Sequence, residues 1–239
     1  MRGVSDAPLL VGRPDGWPKA VLFDLDGTLV DSAPDIAAAT NELMAQHGLP
    51  AHLLADVRAM IGNGVAKLVE RAFAARGRPL EGGALDDAVA EMMPIYGRHL
   101  TRLTTVLPGA RESLAALSAA GLKLAVVSNK PMPFTRAVVD HYGFSPFLAA
   151  VQGAEPGIAK KPAPDMLFAA LARMDVAAGQ ALMVGDSAAD ARSARAAGIA
   201  VALVRGGYTP EAPDALGADH VLVSLQDLPT ALGTLPAQT

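Results

Sequence analysis

The chain has 239 residues, 51% of them hydrophobic, and a formal net charge of −4, which allows one or two domains around a substantial core. It contains no cysteine, which excludes disulfides, thiolate zinc sites and cysteine nucleophiles and is compatible with a cytoplasmic setting. A mildly acidic balance without a Lys/Arg block gives no footprint for nucleic acid or an anionic membrane, although a few local cations could still hold a small anionic substrate.

Residues 1–18 hold one short apolar patch, Leu9-Leu10-Val11, broken up by Gly12, Pro14, Gly16 and Pro18. They read as a flexible leader with neither a signal peptide nor a membrane span. The first predicted element is a buried parallel strand from Ala20 to Phe23, and it runs into Asp24-Leu25-Asp26-Gly27-Thr28-Leu29-Val30-Asp31-Ser32. Two carboxylates about 4 Å apart repel by roughly 4 kcal/mol at an effective dielectric near 20. Such a strand tip therefore calls for a bound cation or a shared proton. A calcium EF-hand loop is excluded: counted from Asp24, its glycine position is Leu29 and its closing glutamate position is Asp35.

Pro34-Asp35 opens a helix carrying Ile36, Ala39, Leu43 and Met44 at helical spacing, and Gly48-Leu49-Pro50 stops it. Helical stretches at about 51–60, 64–76 and 84–102 follow with no strand among them, so residues 34–105 form an all-helical insertion. Within it, Ile61-Gly62-Asn63-Gly64-Val65-Ala66-Lys67 looks like a dinucleotide loop. Its last glycine position is Lys67, however, and no strand precedes it. Two readings stay open: a plain helix-helix turn, or backbone N–H groups at a helix start facing an anionic substrate.

Leu107-Pro108-Gly109 returns the chain to the core, and helix 110–120 ends at Gly121. The strand Leu122 to Val127 ends in Ser128-Asn129-Lys130-Pro131, a hydroxyl beside a helix start and hence a possible anion site. A short strand at 147–152 precedes a loop with Lys160-Lys161-Pro162-Ala163-Pro164-Asp165, and a helix runs from Pro164 to about Arg173. The strand Ala181 to Val184 ends in Gly185-Asp186-Ser187-Ala188-Ala189-Asp190, with Gly185 allowing a tight turn. The strand Ile199 to Val204, the segment Gly206-Gly207-Tyr208, a last strand near 219–223 and a closing helix complete the chain. Strands alternating with helices imply a doubly wound parallel sheet built from 19–33 and 106–239. Asp24, Ser128 and Asp186 then fall at carboxyl ends of strands, where open sheets of this kind bind ligands.

Together these segments resemble the four motifs of the haloacid dehalogenase superfamily: Asp24 to Ser32, Ser128-Asn129, Lys161-Pro162-x-Pro164, and Gly185-Asp186-x-x-x-Asp190. The resemblance covers nearly the whole chain from Ala20. It implies an α/β, Rossmann-like core with an inserted helical cap over residues 34–105, and hydrolysis of a small phosphomonoester through an aspartyl-phosphate with Mg2+ as cofactor. By the family's motifs, Asp24 would be the nucleophile, Asp26 the acid/base and Lys161 the neutralising cation. Gly27, Thr28, Ser128 and Asn129 would hold the phosphate. Asp24, Asp186 and the backbone carbonyl of Asp26 would hold the metal, with Asp190 either joining its shell through water or orienting Lys161.

Neighbouring chemistries separate on single residues. Dehalogenases of the superfamily lack the acid at Asp26, phosphonatases need a Schiff-base lysine where the insertion offers only Lys67, and related phosphomutases carry Glu-Asp where this chain has Gly185-Asp186. Histidine phosphatases need Arg-His-Gly, whereas His99 precedes Leu100, and a receiver-type signalling module phosphorylates an Asp after a later strand. The segment Arg58 to Gly64, followed by Leu68-Val69-Glu70-Arg71-Ala72, is similar to the cap of bacterial phosphoglycolate phosphatases. That similarity implies 2-phosphoglycolate as substrate, with Arg58, Gly62, Asn63, Gly64 and Lys67 as candidate cap contacts. A sugar phosphate, N-acetylmuramate 6-phosphate or pyrophosphate is the alternative. A monomer or weak homodimer is expected.

Overall fold

The computed structural model describes residues 16–209 and 211–233, so the expected leader lies outside the described residues as far as Asp15. Its last positions belong to the core instead: Trp17 is buried and its indole N–H donates to the Gly179 carbonyl. β1 (Ala20–Phe23) is buried throughout. Val21 and Phe23 enter one apolar cluster while Ala20 and Leu22 enter another, as expected for a strand covered on both faces.

The chain continues through β2 (Val30–Asp31), α1 (Ala33–Gln46), α2 (Leu54–Met60), α3 (Val65–Ala74), α4 (Gly82–His99) and β3 (Thr105–Val106). Helices α1 to α4 bury a third cluster that includes Leu43, Met44, Phe73 and Met92, so the cap has its own core. β2 and β3 pair antiparallel, Val30 opposite Val106 and Asp31 opposite Thr105. The cap thus enters and leaves through adjacent strands, a feature the sequence reading did not find because two-residue strands carry no period. The buried Asp35 carboxylate ties the same junction, accepting from the Leu103 and Thr104 N–H groups and the Thr104 hydroxyl at 2.7 to 2.9 Å.

Beyond the cap come α5 (Ala110–Ala119), β4 (Lys123–Pro131), α6 (Met132–His141), β5 (Ala150–Ala154), α7 (Asp165–Met174), β6 (Ala181–Gly185), α8 (Ala188–Ala197), β7 (Ala200–Val204), β8 (His220–Leu222) and α9 (Leu228–Ala231). The main sheet is parallel, in the order β5-β4-β1-β6-β7-β8. The connections run outward in both directions from β1, which puts the topological switch point, and with it the expected ligand crevice, at the end of β1. This is the predicted doubly wound α/β fold with its helical cap. One boundary differs in a way that matters for the site: β4 was expected to stop at Val127 but extends to Pro131, its pairing with β5 shifting register after Val127. Ser128, Asn129 and Lys130 therefore lie within the strand, at its register shift, rather than beyond its end. Among the described residues no helix is long and apolar enough to cross a membrane.

Candidate active site

Asp24 follows β1 and donates its N–H to the Val184 carbonyl of β6 at 2.9 Å. Parallel pairing of β1 with β6 sets Phe23 beside Val184, so the residues after both strands converge. Carboxylate oxygens of Asp24, Asp186 and Asp190 all lie within 4.8 Å of one another, and all three residues are buried. Glycines make room for them. A Cβ on Gly207 would fall 2.2 Å from Asp186 Oδ2, and one on Gly27, whose φ of +92° is left-handed, would fall 2.6 Å from the same oxygen. At Gly185, expected to serve a tight turn, the requirement is instead close approach: a Cβ would lie 2.4 Å from Asp190 Cγ.

Lys161 is buried and donates to Asp24 Oδ1 at 2.9 Å, to Asp190 Oδ1 at 2.7 Å and to the Val127 carbonyl at 2.7 Å. Its three protons are thereby used. Asp190 Oδ2 accepts from the Ser187 N–H and hydroxyl, closing the capping box of α8. With one oxygen on Lys161 and the other on the helix cap, Asp190 is placed to orient the lysine. Neighbouring Lys160 is exposed.

Burial pushes the Asp24 carboxyl up to about 7 despite Lys161 beside it. Burial, with Asp190 and Asp24 adding repulsion, pushes Asp186 well above the usual carboxylate range. Burial opposes the charge on Lys161, but Asp190 and Asp24 outweigh it and hold that lysine protonated. The cluster thus gathers three carboxylates against one lysine, and its donors are hard oxygens. Such a set fits a hard divalent cation.

The atoms of Gly27 and Thr28 expected at the phosphate have partners within the protein. The Gly27 N–H donates to the Val30 carbonyl at 2.8 Å, so the turn consumes it. Thr28 is fully buried, with its hydroxyl turned toward Asp186 at 3.5 Å. The tight turn after β1 thus uses the Gly27 and Thr28 N–H groups for itself, the latter donating to the Leu25 carbonyl. The Asp26 side chain stands outside the acidic cluster, its Oδ1 accepting from the Ser32 hydroxyl at 2.6 Å and from Lys130 at 2.8 Å. Ser128 and Asn129 do border the crevice.

Asp24 and Asp26 border two cavities of unequal size. The smaller lies between the cap residues Ile61, Gly62, Val65 and Tyr96 and the end of β4, and the larger opens beside Asp186, Asn63 and Arg71. The cap loop is docked onto the core: Asn129 Nδ2 donates to the Gly62 carbonyl at 2.9 Å and to the Lys161 carbonyl at 2.8 Å. Arg71 braces the loop from the cap side through the Met60 carbonyl and Asn63 Oδ1. Gly62 lines both cavities, Gly64 the smaller and Asn63 the larger.

The other two cap candidates do not. Lys67 is exposed and paired with Glu70 at 2.8 Å, one turn along α3 on its outer face. Arg58 reaches β2 at the cap junction instead, meeting Asp31 Oδ2 at 2.6 Å, with its guanidinium 5.3 Å from the centre of the Tyr208 ring. Tyr208 joins three parts of the molecule. Its N–H donates to Asp186 Oδ2, its hydroxyl accepts from the Ser32 and Ala33 N–H groups at the start of α1, and that hydroxyl donates to Asp31.

Two residues passed over in the sequence reading, Lys130 and Tyr96, line the smaller cavity. Lys130 is buried and donates to Asp26 and to the Tyr96 hydroxyl. Burial works against its charge, but Asp26 and Tyr96 prevail and hold it protonated. A lysine at the end of an otherwise apolar strand run was the available signal for Lys130. For Tyr96 there was none, since one aromatic on an amphipathic helix reads as core.

A profile of the haloacid dehalogenase-like hydrolase family matches residues 18–198, and the chain belongs to that family. It is an enzyme, a phosphatase of that superfamily. A phosphoglycolate phosphatase of Caulobacter vibrioides is 42% identical over 215 residues, spanning 90% of this chain and 91% of that protein. A plasmid phosphoglycolate phosphatase of Cupriavidus necator is 44% identical over 214 residues, spanning 89% and 92%. The crystal structure of a predicted phosphoglycolate phosphatase from Haemophilus somnus 129pt superposes with a TM-score of 0.82 at 30% identity, covering 88% of this chain and 96% of that one.

Proposed function

We propose that the protein hydrolyses 2-phosphoglycolate to glycolate and phosphate with Mg2+ as cofactor, residues 34–105 serving as a cap over a core that continues from 106. The observation that carries this reading is a pair of carboxylates on one strand end with different surroundings. Asp24 is held by Lys161 and lies in the acidic cluster, whereas Asp26 is held by Ser32 and Lys130, and both border the cavity under the cap.

Asp24, held at Oδ1 by Lys161, attacks phosphorus to give an aspartyl-phosphate. Asp26 Oδ1 already accepts two hydrogen bonds, which leaves Oδ2 to protonate the leaving alkoxide and later to take a proton from the attacking water. The Ser128 hydroxyl and the backbone near Asn129 hold phosphoryl oxygens, and Lys161, kept in register by Asp190, offsets negative charge as it redistributes. Asp24, Asp186 and the Asp26 main-chain carbonyl would hold Mg2+, which when bound supplies the positive charge that lets an anionic nucleophile meet an anionic substrate. The relatives named above support the choice of substrate, and the cysteine-free composition is compatible with a cytoplasmic setting.

The test is phosphate release across a panel of phosphomonoesters, a sugar phosphate, N-acetylmuramate 6-phosphate and pyrophosphate, with and without chelator. Activity greatest on 2-phosphoglycolate and lost on chelation is expected; preference for another member overturns the substrate but leaves the chemistry. Asp24→Asn should abolish turnover and preserve the fold, so near-normal activity in that variant would overturn the chemistry itself.

A further inference from the structure

We infer that Lys130 binds a carboxylate on the substrate's leaving group, so that the preferred substrates are phosphate esters of 2-hydroxy acids. This rests on the phosphatase reading above and extends it to a residue and a substrate class. The cavity under the cap has apolar walls at Ile61, Val65 and Leu68, and the charged residues lining it are Asp24, Asp26 and Lys130. An anionic leaving group would therefore meet two carboxylates and one cation. The lysine is 1% exposed at its side chain, so no bulk water screens what it touches.

Two of its three protons go to Asp26 Oδ1 at 2.8 Å and to the Tyr96 hydroxyl. Among the described residues no hydrogen-bond acceptor takes the third, which leaves it for a ligand. Positioning Asp26 does not by itself explain a buried charge here, because the Ser32 hydroxyl already holds the same oxygen at 2.6 Å. Taking an ammonium group out of water is costly, and the cost is offset further when a second anion arrives.

The position of the lysine narrows the class. Asp26 delivers its proton to the ester oxygen, so a cation one hydrogen bond from Asp26 lies beside whatever group is attached close to that oxygen. In an ester of a 2-hydroxy acid the carboxylate carbon is two bonds from the ester oxygen, within reach of the lysine. In a 3-hydroxy acid ester the chain is one carbon longer and the carboxylate is carried past it. The phosphoryl group has its own counter-charges in Lys161 and in the cation that the acidic cluster would hold, so the two recognition tasks fall to different lysines.

The experiment compares kcat/KM for 2-phosphoglycolate, 2-phospholactate, 3-phosphooxypropionate and ethyl phosphate in the wild-type enzyme and in Lys130→Gln, which keeps a donor for Asp26 without the charge. Lys130→Met is the second variant should the first fail to fold. The wild type is expected to favour the two 2-hydroxy acid esters, and the variant should lower the ratio of 2-phosphoglycolate to ethyl phosphate by roughly 10- to 100-fold, chiefly through KM. An unchanged ratio, with both substrates losing equally, would make Lys130 a positioning residue for Asp26 and overturn the inference while the phosphatase reading stands. A wild type inactive on 2-phosphoglycolate would overturn the reading beneath it. If neither variant folds, inhibition of wild-type ethyl phosphate hydrolysis decides: glycolate should compete at concentrations where ethylene glycol does not, and equal inhibition overturns the inference.

Discussion

Binding of the divalent cation should change the way stability depends on pH. In the folded chain the Asp24 carboxyl titrates at about 7 rather than 3.8, because burial disfavours the charged form more than Lys161 restores it. Between those values the folded protein holds a proton that the unfolded chain has released. The unfolding free energy of the metal-free protein therefore falls as pH rises through that window and levels off above it. A shift of about three pH units corresponds to about 4 kcal/mol at about 1.36 kcal/mol per unit, a large part of an ordinary domain's stability. Asp186 is displaced in the same direction. A bound cation replaces the missing proton. At about 100 times its dissociation constant it adds about 2.7 kcal/mol, and because it needs ionised carboxylates its effect grows with pH.

Urea unfolding followed by circular dichroism, from about pH 4 to about pH 8, would be run in chelator and in excess Mg2+ on the wild type and on Asp24→Asn. In chelator the variant lacks the displaced group, so it should be the more stable chain at the alkaline end by a few kcal/mol, although it cannot turn over. Identical pH slopes for the two chains in chelator, or no gain from Mg2+ in the wild type, would refute the charge argument.

Three further outcomes follow from the packing. Gly207→Ala places a Cβ 2.2 Å from Asp186 Oδ2, so stability should fall by about 1–3 kcal/mol and kcat by roughly tenfold or more as that carboxylate is displaced; wild-type kcat would show that its position is not critical. Asp35→Ala leaves the Leu103 and Thr104 N–H groups unpaired at the cap junction and should cost about 3 kcal/mol or more in chemical denaturation, with a loss under about 1 kcal/mol contradicting the assigned role. Lys67→Ala removes only an exposed ion pair within one helix, so melting should move by no more than the equivalent of about 0.5 kcal/mol with kcat/KM unchanged; altered substrate preference would return Lys67 to the site.

The core strands were readable because a strand covered on both faces must be apolar at every position, as Ala20 to Phe23 and Ala181 to Val184 are. The reacting groups were readable for the complementary reason: a carboxylate directly after such a strand is costly unless chemistry uses it. Asp24 and Asp186 stand out along the chain before anything is known of their distance. The short ladder between β2 and β3 was not readable, and neither was the anchoring of Trp17, since each depends on a partner more than seventy positions away.

Side-chain assignments divide in the same way. The motif placed Lys161 beside Asp24, but only packing showed that Asp190 holds it, that the Gly27 and Thr28 N–H groups are spent within their own turn and that the Thr28 hydroxyl turns to Asp186. Arg58 and Lys67 lie close together in the cap sequence, yet one reaches β2 at the cap junction and the other faces solvent, because helix phase and cap docking send them different ways. Which elements form, and in what order, follows from local patterns of apolar residues and turn formers, and these are written along the chain. The company each charged group keeps depends on contacts between residues far apart, as with Lys130 between Asp26 and Tyr96. No linear pattern encodes such meetings, because they are set jointly by sheet order, strand register and the seating of the cap.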